Sequence, residues 1–249
     1  MSDTSKKILI GVLITLILTL TVVFAVIWKL GILEKEPEEY TIQNASEFEE
    51  NSSANYFDDV DKIMTLEDWQ EINSDVVYLL KINGKEFPVS FGKTHDYYLT
   101  HDVWGNYDVF GSVSLDENST VDTENKIIYG HSTYTKDLLF TFIPNYKNKD
   151  YYEENKTFIL EDATGEHNYI VLALMYIPDG STPENMDWFK PDVHNINSGE
   201  YAKTFIKDAE YVYSDVVKPN KGFIELCTCE MKNTVEDSIG RYVLLAQEL

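Results

Sequence analysis

Cysteine and basic side chains are scarce in this sequence of 249 residues. Its 20 Lys and Arg stand against 43 Asp and Glu, which gives a formal net charge of −23. Because such a surface repels phosphate backbones, the charge balance argues against nucleic acid as a partner. Cys227 and Cys229 lie two residues apart in a strand-like segment, where disulfide geometry is poorly matched. A fold held together by disulfides is therefore not expected.

A long stretch without charge lies near the N-terminus, where the 21 residues Ile8–Trp28 are mostly Ile, Leu and Val. A helix of this length matches the roughly 30 Å core of a bilayer. Lys6 and Lys7 precede it, which favours a cytoplasmic N-terminus. A cleaved signal peptide is the alternative, but its apolar region would be only about 7–15 residues long. We therefore predict that residues 1–30 form a cytoplasmic N-terminus and a single-pass membrane anchor, with the remainder outside the cell.

After the anchor the sequence is first polar and then patterned. Residues 31–55 are acidic and contain Pro37, and we predict a stalk there. Residues 56–249 are predicted to form the folded domain. Apolar residues recur at helical spacing in Tyr56–Ile72, which predicts one helix or two in tandem before the strands begin. The same spacing in Ser198–Ser214 predicts a helix late in the domain.

Eight segments of the domain have the apolar or alternating pattern of short strands. Asn83-Gly84 is a strong signal for a tight turn between the first two. Many short strands and few helices predict a mainly β fold, with a closed or nearly closed barrel. The predicted strands are Val76–Ile82, Phe87–Ser90, Val109–Leu115, Lys126–Tyr129, Thr157–Leu160, Asn168–Tyr176, Gly222–Cys229 and Arg241–Gln247.

Three residues have the settings of chemically active groups. Cys229 ends an apolar strand just before a polar stretch, where a substrate could reach the thiol. His131 stands at the exit of another apolar strand, after Gly130, and glycine leaves room for a partner to approach. Arg241 opens the last strand and could direct its fork of donors at a developing oxyanion. A buried, inert thiol and a strand-edge charge that aids solubility are the simpler interpretations of Cys229 and Arg241.

The remaining histidines lie in polar surroundings rich in Asp and Asn, and we predict that they are surface residues. They are His95, His101, His167 and His194. No pair of histidines has the i, i+4 or His-x-His spacing of a metal site, so neither a metal nor another cofactor is expected.

These motifs together resemble the sortases, a family of cysteine transpeptidases. The resemblance rests on Gly130-His131, on Leu226-Cys227-Thr228-Cys229 and on Arg241. The segments Asn83–Leu99 and Gly105–Asp116 add to it. The helices predicted before the strands and ahead of the cysteine strand are similar to those of class B sortases. The resemblance implies a closed eight-stranded β-barrel with N-terminal helices and one helix inserted before the cysteine strand.

By this resemblance the protein is a cell-surface transpeptidase. Cys229 would cleave a sorting signal of the Asn-Pro-x-Thr type after Thr and hold the product as a thioester. His131 would move the proton, and Arg241 would stabilise the oxyanion. The partners implied are surface proteins that carry a sorting signal, an amine of the peptidoglycan cross-bridge and, through the N-terminal helix, the membrane of a Gram-positive bacterium. We further predict substrate contacts from Leu226, Thr228, Ser198 and Tyr201.

Two residues depart from the sortase pattern. Glu225 stands where the family usually has Thr, and Cys227 occupies the variable position. Glu225 and Glu230 are expected to oppose ionisation of the nearby thiol, so that a minority of the protein holds a thiolate–imidazolium pair at neutral pH. Cys227 is expected to be a packing residue, with a redox brake formed together with Cys229 as the alternative.

Two other functions fit the same sequence. A pilin-polymerising sortase would use a Lys side chain as acceptor, but no lid segment is obvious ahead of the barrel. A non-enzymatic, membrane-tethered binding domain could use its two thiols for a soft metal. Cys-x-Cys without a third ligand makes a poor closed site, however, and the anchoring enzyme is preferred.

Overall fold

A computed structural model describes residues 64–92, 94, 97–119, 123, 125–132, 138–178, 198–231 and 238–249. All of them belong to one compact unit, residues 42–249. Within these ranges no helix is long and apolar enough to cross a membrane. The predicted anchor and stalk lie outside the described residues.

The strands of the described residues form one sheet of nine, in the order β5-β1-β2-β3-β4-β8-β9-β6-β7. A further pairing of β5 with β6 closes eight of these strands into a ring, and the two-residue β7 is attached to β6 outside it. The predicted mainly β fold with a closed eight-stranded barrel is thereby confirmed. The strands are β1 (Val76–Ile82), β2 (Lys85–Ser90), β3 (Ser114–Leu115), β4 (Asn125–Tyr129), β5 (Thr157–Asp162), β6 (Gly165–Pro178), β7 (Tyr211–Val212), β8 (Phe223–Met231) and β9 (Ser238–Glu248).

The segment predicted as a strand over Val109–Leu115 is extended only in β3. Asp108 accepts a hydrogen bond on its side chain from the Phe110 N–H at 2.9 Å, and its carbonyl accepts from the Gly111 N–H at 2.9 Å. Gly111 has a φ of 56°, in the left-handed region. The prediction was therefore wrong for residues 109–113, because a tight turn precedes the strand.

The helices are short and differ from the expected ones. Helix α1 (Leu66–Ile72) begins after Thr65, which forms a capping box with Asp68, and the rest of Tyr56–Ile72 lies mostly outside the described residues. Helix α2 (Lys149–Asn155) was not predicted, nor was the 3-10 helix Ile143–Lys147 before it.

Helix α3 (Ser198–Asp208) confirms the start of the late helix but ends six residues earlier than expected. The residues that follow form β7, in which Tyr211 and Val212 pair with Leu174 and Ala173 of β6. Pairing with an available strand edge thus overrides the helical spacing of this segment.

Buried side chains form three clusters on the two sides of the barrel wall. The largest fills the interior and includes Leu80, Ile128 and Leu226. A second lies outside, between the sheet and α3, where Phe205 packs with Phe223 and its neighbours. In the third cluster α1 packs against β1 through residues that include Leu66 and Trp69. The barrel and its outer helix therefore hold the carboxyl ends of β4 and β8 in a fixed place.

Candidate active site

The register of β8 and β9 places two of the predicted catalytic residues opposite each other. Cys229 and Arg241 are direct partners across this antiparallel pair. Residues in such positions have Cα atoms about 4.5–5.5 Å apart. The backbone thus brings a thiol-bearing residue and a guanidinium-bearing residue to one edge of the barrel.

His131 reaches the same edge from β4, which runs parallel to β8. Tyr129 is paired with Cys227, and the N–H of Gly130 donates to the Cys227 carbonyl at 3.2 Å. His131 follows Tyr129 by two residues, as Cys229 follows Cys227. If this parallel register continued by two residues, His131 and Cys229 would stand at the same level, and we expect them to lie close together. The pairings thus put Cys229 opposite Arg241 and the residue before His131 beside Cys227, and the catalytic role of all three residues stays a prediction.

Gly130 makes room for an aromatic ring. A Cβ at this position would lie 2.7 Å from the ring of Phe140, which is completely buried. The N–H of Phe140 also donates to the His131 carbonyl at 3.1 Å. The sequence suggested that this glycine clears a path for substrate, whereas the structure assigns the space to packing that fixes the backbone of His131.

The imidazole of His131 is held in one orientation by a backbone carbonyl. Its Nε2 lies 3.0 Å from the carbonyl oxygen of Leu99. A carbonyl only accepts hydrogen bonds, so Nε2 carries the hydrogen. In the neutral ring the lone pair is then on Nδ1, which is the nitrogen free to take up a proton.

The electrostatic surroundings of His131 favour the neutral imidazole. Burial lowers its pKa below the usual value, while the hydrogen bond to Leu99 and the negative charge of Asp108 act in the opposite direction and do not overcome it. A neutral His131 can act as a base at neutral pH. It becomes an acid only after taking a proton, which a nearby thiol can supply.

Arg241 is the fourth residue of β9, and its side chain is exposed. It is flanked by Gly240, where a Cβ would lie 2.5 Å from the Tyr176 hydroxyl and 2.6 Å from the Ile177 carbonyl. β6 and β9 therefore approach so closely here that the position before Arg241 requires glycine. The guanidinium itself is reachable from solvent, as binding of a substrate carbonyl would require.

The neighbours of Cys229 on β8 face opposite sides of the wall. Cys227 is buried, 3% exposed, in the cluster beneath α3. Thr228 is equally buried, and within the described part of the chain its Oγ1 has no hydrogen-bond partner. An unpaired buried hydroxyl costs free energy, so Thr228 has a polar atom that a bound substrate could satisfy.

Glu225 is completely buried and belongs to a polar cluster under α3. Its Oε1 accepts hydrogen bonds from the Tyr201 hydroxyl and from Asn125 Nδ2, the latter at 3.3 Å. Burial raises its pKa well above the usual range, the Asn125 hydrogen bond opposes this, and the charge of Asp116 adds to it. The raised pKa favours the neutral carboxyl, which would contribute no negative charge, and the expected effect of Glu225 on thiol ionisation stays a prediction.

Two of the predicted substrate contacts have structural contacts. Leu226 is completely buried in the barrel interior. Tyr201 is 4% exposed, and its hydroxyl is engaged by Glu225 and Asn125. Both side chains take part in the packing of the wall, and their contact with a substrate stays a prediction. Ser198 is the first residue of α3, and its role stays a prediction.

Sequence reasoning did not find the Leu99 carbonyl or Asp108, the two groups that act on His131. The available signal was the similarity of Asn83–Leu99 to the stretch that precedes the sortase histidine. A backbone oxygen has no residue type, however, so its use could not be read from the pattern. Among the described residues no group of three or more His, Cys, Asp and Glu side chains could hold a metal ion.

Comparison of the sequence with models of known families, and with characterised proteins, gives no match. Comparison of the fold with solved structures does give matches. Clostridium perfringens sortase B is 21% identical, with a TM-score of 0.59 over 74% of this chain and 100% of that one. A Streptococcus pyogenes class B sortase involved in pilus biogenesis is 23% identical, with a TM-score of 0.61 over 75% and 98%.

The Staphylococcus aureus sortase B–substrate complex is 21% identical, with a TM-score of 0.62 over 83% of this chain and 93% of that one. These structures are similar nearly throughout their own length. The barrel, its closure and its few helices are shared among them, and this chain has the fold of the class B sortases.

Proposed function

We propose that this protein is a cysteine transpeptidase of the sortase type, with Cys229 as nucleophile, His131 as proton carrier and Arg241 as the group that stabilises the oxyanion. The observation that carries the proposal is the strand register. Cys229 and Arg241 are direct partners, and the hydrogen bond from Gly130 to Cys227 joins the residue before His131 to the same strand. The likeness to solved class B sortases supports it.

The reaction has two halves, each with a tetrahedral intermediate. The Cys229 sulfur forms a bond to the carbonyl carbon of the substrate, and the carbonyl π electrons move onto oxygen. The Arg241 guanidinium stabilises that oxyanion. When the C–N bond breaks, His131 gives its proton to the leaving amine and a thioester remains. An incoming amine then attacks the thioester, His131 takes its proton, and the C–S bond breaks.

The proton in this cycle moves through one atom of His131. Nε2 is occupied by its hydrogen bond to the Leu99 carbonyl, so Nδ1 is the atom that accepts the thiol proton and passes it to the leaving amine. The lowered pKa of His131 favours the neutral thiol–imidazole form before substrate binds. We expect that a minority of the protein then holds the thiolate–imidazolium pair, because burial of the histidine disfavours its charged form.

The substrate class proposed is a sorting signal of the Asn-Pro-x-Thr type, cleaved after Thr. The acceptor proposed is an amine of the cell wall, and the site of action is the outer face of the membrane to which residues 1–30 attach the chain. Thr228 is the contact proposed for the signal, because its buried hydroxyl lacks a partner among the described residues. Polymerisation of pilins is the second candidate function, since a similar structure belongs to a class B sortase involved in pilus biogenesis.

The test is cleavage of peptides by the full chain, purified in detergent. Peptides containing Asn-Pro-x-Thr and Leu-Pro-x-Thr would each be incubated with a peptidoglycan-type amine or with a Lys-containing peptide. Products would be identified by mass spectrometry. Cys229→Ala removes the proposed nucleophile, and Cys227→Ala is its matched control on the same strand.

Cleavage after Thr that disappears only in Cys229→Ala supports the transpeptidase. Transfer to the peptidoglycan-type amine supports anchoring, and transfer to Lys supports pilin polymerisation. Turnover of only the Leu-Pro-x-Thr peptide would keep the chemistry and exclude the proposed signal. No turnover of any peptide, together with a Cys229 thiol that resists alkylation, would favour a non-enzymatic binding domain.

A further inference from the structure

The Leu99 carbonyl oxygen, which orients His131, lies close to Gly111, a later residue of the chain. The Leu99 carbonyl is 3.0 Å from Nε2 of His131. A Cβ at Gly111 would lie 2.7 Å from that same oxygen and 2.7 Å from its carbon. Contacts this short require the backbone to move, because neither atom belongs to a flexible side chain.

Gly111 is also constrained by its own backbone. Its φ of 56° lies in the left-handed region, and a Cβ there would in addition lie 2.2 Å from the Tyr98 carbonyl oxygen. The position therefore requires glycine for two reasons, its conformation and its closeness to the 98–99 peptide groups.

Hydrogen bonds on both sides hold Leu99 against this glycine. The Ser112 N–H donates to the Tyr98 carbonyl at 2.9 Å, and the Asp108 N–H donates to the Thr100 carbonyl at 2.9 Å. The segment 108–112 is thus bonded to the residues before and after Leu99. The Leu99 carbonyl between them is left for the imidazole.

We propose that Gly111 is a positioning residue: its lack of a side chain lets segment 108–112 hold the Leu99 carbonyl where it keeps the hydrogen of His131 on Nε2. The inference rests on the proposed function and deepens it, since the lone pair on Nδ1 is what the reaction uses. In this proposal Gly111 acts through the Leu99 carbonyl and not on the reacting atoms. Its effect is therefore on the protonation and tautomer of His131.

Other glycines of the chain allow the conformational effect to be separated from the contact. Gly84 also has a positive φ, of 70°, but a Cβ there would meet no atom within 4 Å. It lies in the turn between β1 and β2. Gly84→Ala therefore reproduces the backbone strain without the displacement of Leu99.

The experiment uses the full chain in detergent micelles, labelled with ¹⁵N-histidine. The five histidines give few signals, and His131→Asn assigns the one of interest. The ¹⁵N shifts report the tautomer, and their pH dependence gives the pKa of His131 in the natural chain, in Gly111→Ala and in Gly84→Ala. Peptide cleavage is measured beside them.

In the natural chain we expect a neutral His131 with hydrogen on Nε2. Gly111→Ala should mix the two tautomers, lower the pKa of His131 because the Leu99 bond no longer raises it, and reduce kcat by about 10–100-fold with KM unchanged. Gly84→Ala should leave the tautomer, the pKa and kcat as they are.

An unchanged tautomer and pKa in folded Gly111→Ala would overturn the proposal. If that variant does not fold, the natural chain still decides, because hydrogen on Nδ1 or a mixed tautomer there would also overturn it. The shifts do not depend on turnover. A tautomer that responds to Gly111→Ala in a protein that cleaves no peptide would support the positioning role and reject the transpeptidase.

Discussion

Replacing Glu225 by glutamine is expected to flatten the dependence of stability on pH. Glu225 is completely buried, and burial raises its pKa well above the usual range. The folded protein therefore keeps this proton at pH values where the unfolded chain has released it. Because the unfolded state then binds fewer protons, stability falls as the pH rises above the unfolded value of 4.5, until the folded carboxyl also ionises.

The size of the effect follows from linkage. Within that window each pH unit lowers the free energy of unfolding by about 1.4 kcal/mol for a single group. Glutamine keeps the shape, and its side-chain oxygen can accept from the Tyr201 hydroxyl as the carboxyl does. It does not titrate, so the contribution of position 225 becomes constant.

The assay is urea unfolding of both proteins at pH 5, 6 and 7. The difference in free energy of unfolding, glutamine variant minus natural protein, should grow by about 1.4 kcal/mol per pH unit up to the folded-state pKa. All other titrating groups cancel in this difference. Parallel curves for the two proteins over this range would refute the reasoning, since they would mean that Glu225 is already ionised when folded.

Three further substitutions test other contacts. Cys227→Ser should leave peptide cleavage unchanged, because the thiol is buried beneath α3. Urea unfolding should show a free energy of unfolding that is lower by about 1–3 kcal/mol. Loss of cleavage in a folded variant would reverse the assignment of the nucleophile. Tyr201→Phe removes a hydrogen-bond donor to a buried carboxyl and should lower the free energy of unfolding at pH 5 by about 1–3 kcal/mol. An unchanged free energy of unfolding would mean that the hydroxyl does not stabilise the carboxyl of Glu225. Partial burial lowers the pKa of His167, but hydrogen bonds to Glu248 and Asp162 outweigh this effect and raise the pKa. His167→Gln should therefore lower the free energy of unfolding by about 0–1 kcal/mol below pH 6.5 and leave it unchanged at pH 9. An equal loss at both pH values would contradict the ion pairs.

The barrel could be predicted because its strands carry local signals. β1 was predicted with the bounds that the structure has, and the Asn83-Gly84 turn after it has φ values of 55° and 70°, as a tight hairpin requires. β5 was predicted two residues too short and β6 five; the missed residues 161–162 and 165–167 are polar and are held by pairing of the two strands, whereas Ile177 and Pro178 pair with β9. Alternation identifies the buried part of a strand and misses its solvent-exposed ends.

The predictions that failed concern elements whose conformation depends on residues far away in the sequence. Tyr211–Val212 has helical spacing but pairs with β6, and Val109–Phe110 has strand-like residues but turns at Gly111. Helix α2 has a local signal, Asn148, whose side chain accepts from the N–H groups of residues 150 and 151. It is only two turns long, so no apolar periodicity could develop.

The candidate site divides in the same way. The residue types at His131, Cys229 and Arg241 suggested chemistry, and the strand register then paired Cys229 with Arg241 and Tyr129, two residues before His131, with Cys227. Burial of Glu225 could not be anticipated, because a carboxyl on a strand is normally exposed. The Leu99 carbonyl is a backbone atom, and only coordinates reveal its use.

The most direct test of the central claim is the intact mass of the protein after reaction with a sorting-signal peptide and no acceptor amine. The account predicts an added mass equal to the acyl fragment, located on Cys229, released by hydroxylamine as a thioester would be, and absent in Cys229→Ala. Arg241→Ala should accumulate it far more slowly, because the oxyanion loses its stabilising charge. An acyl group on Cys227, or cleavage that persists in Cys229→Ala, would contradict the account.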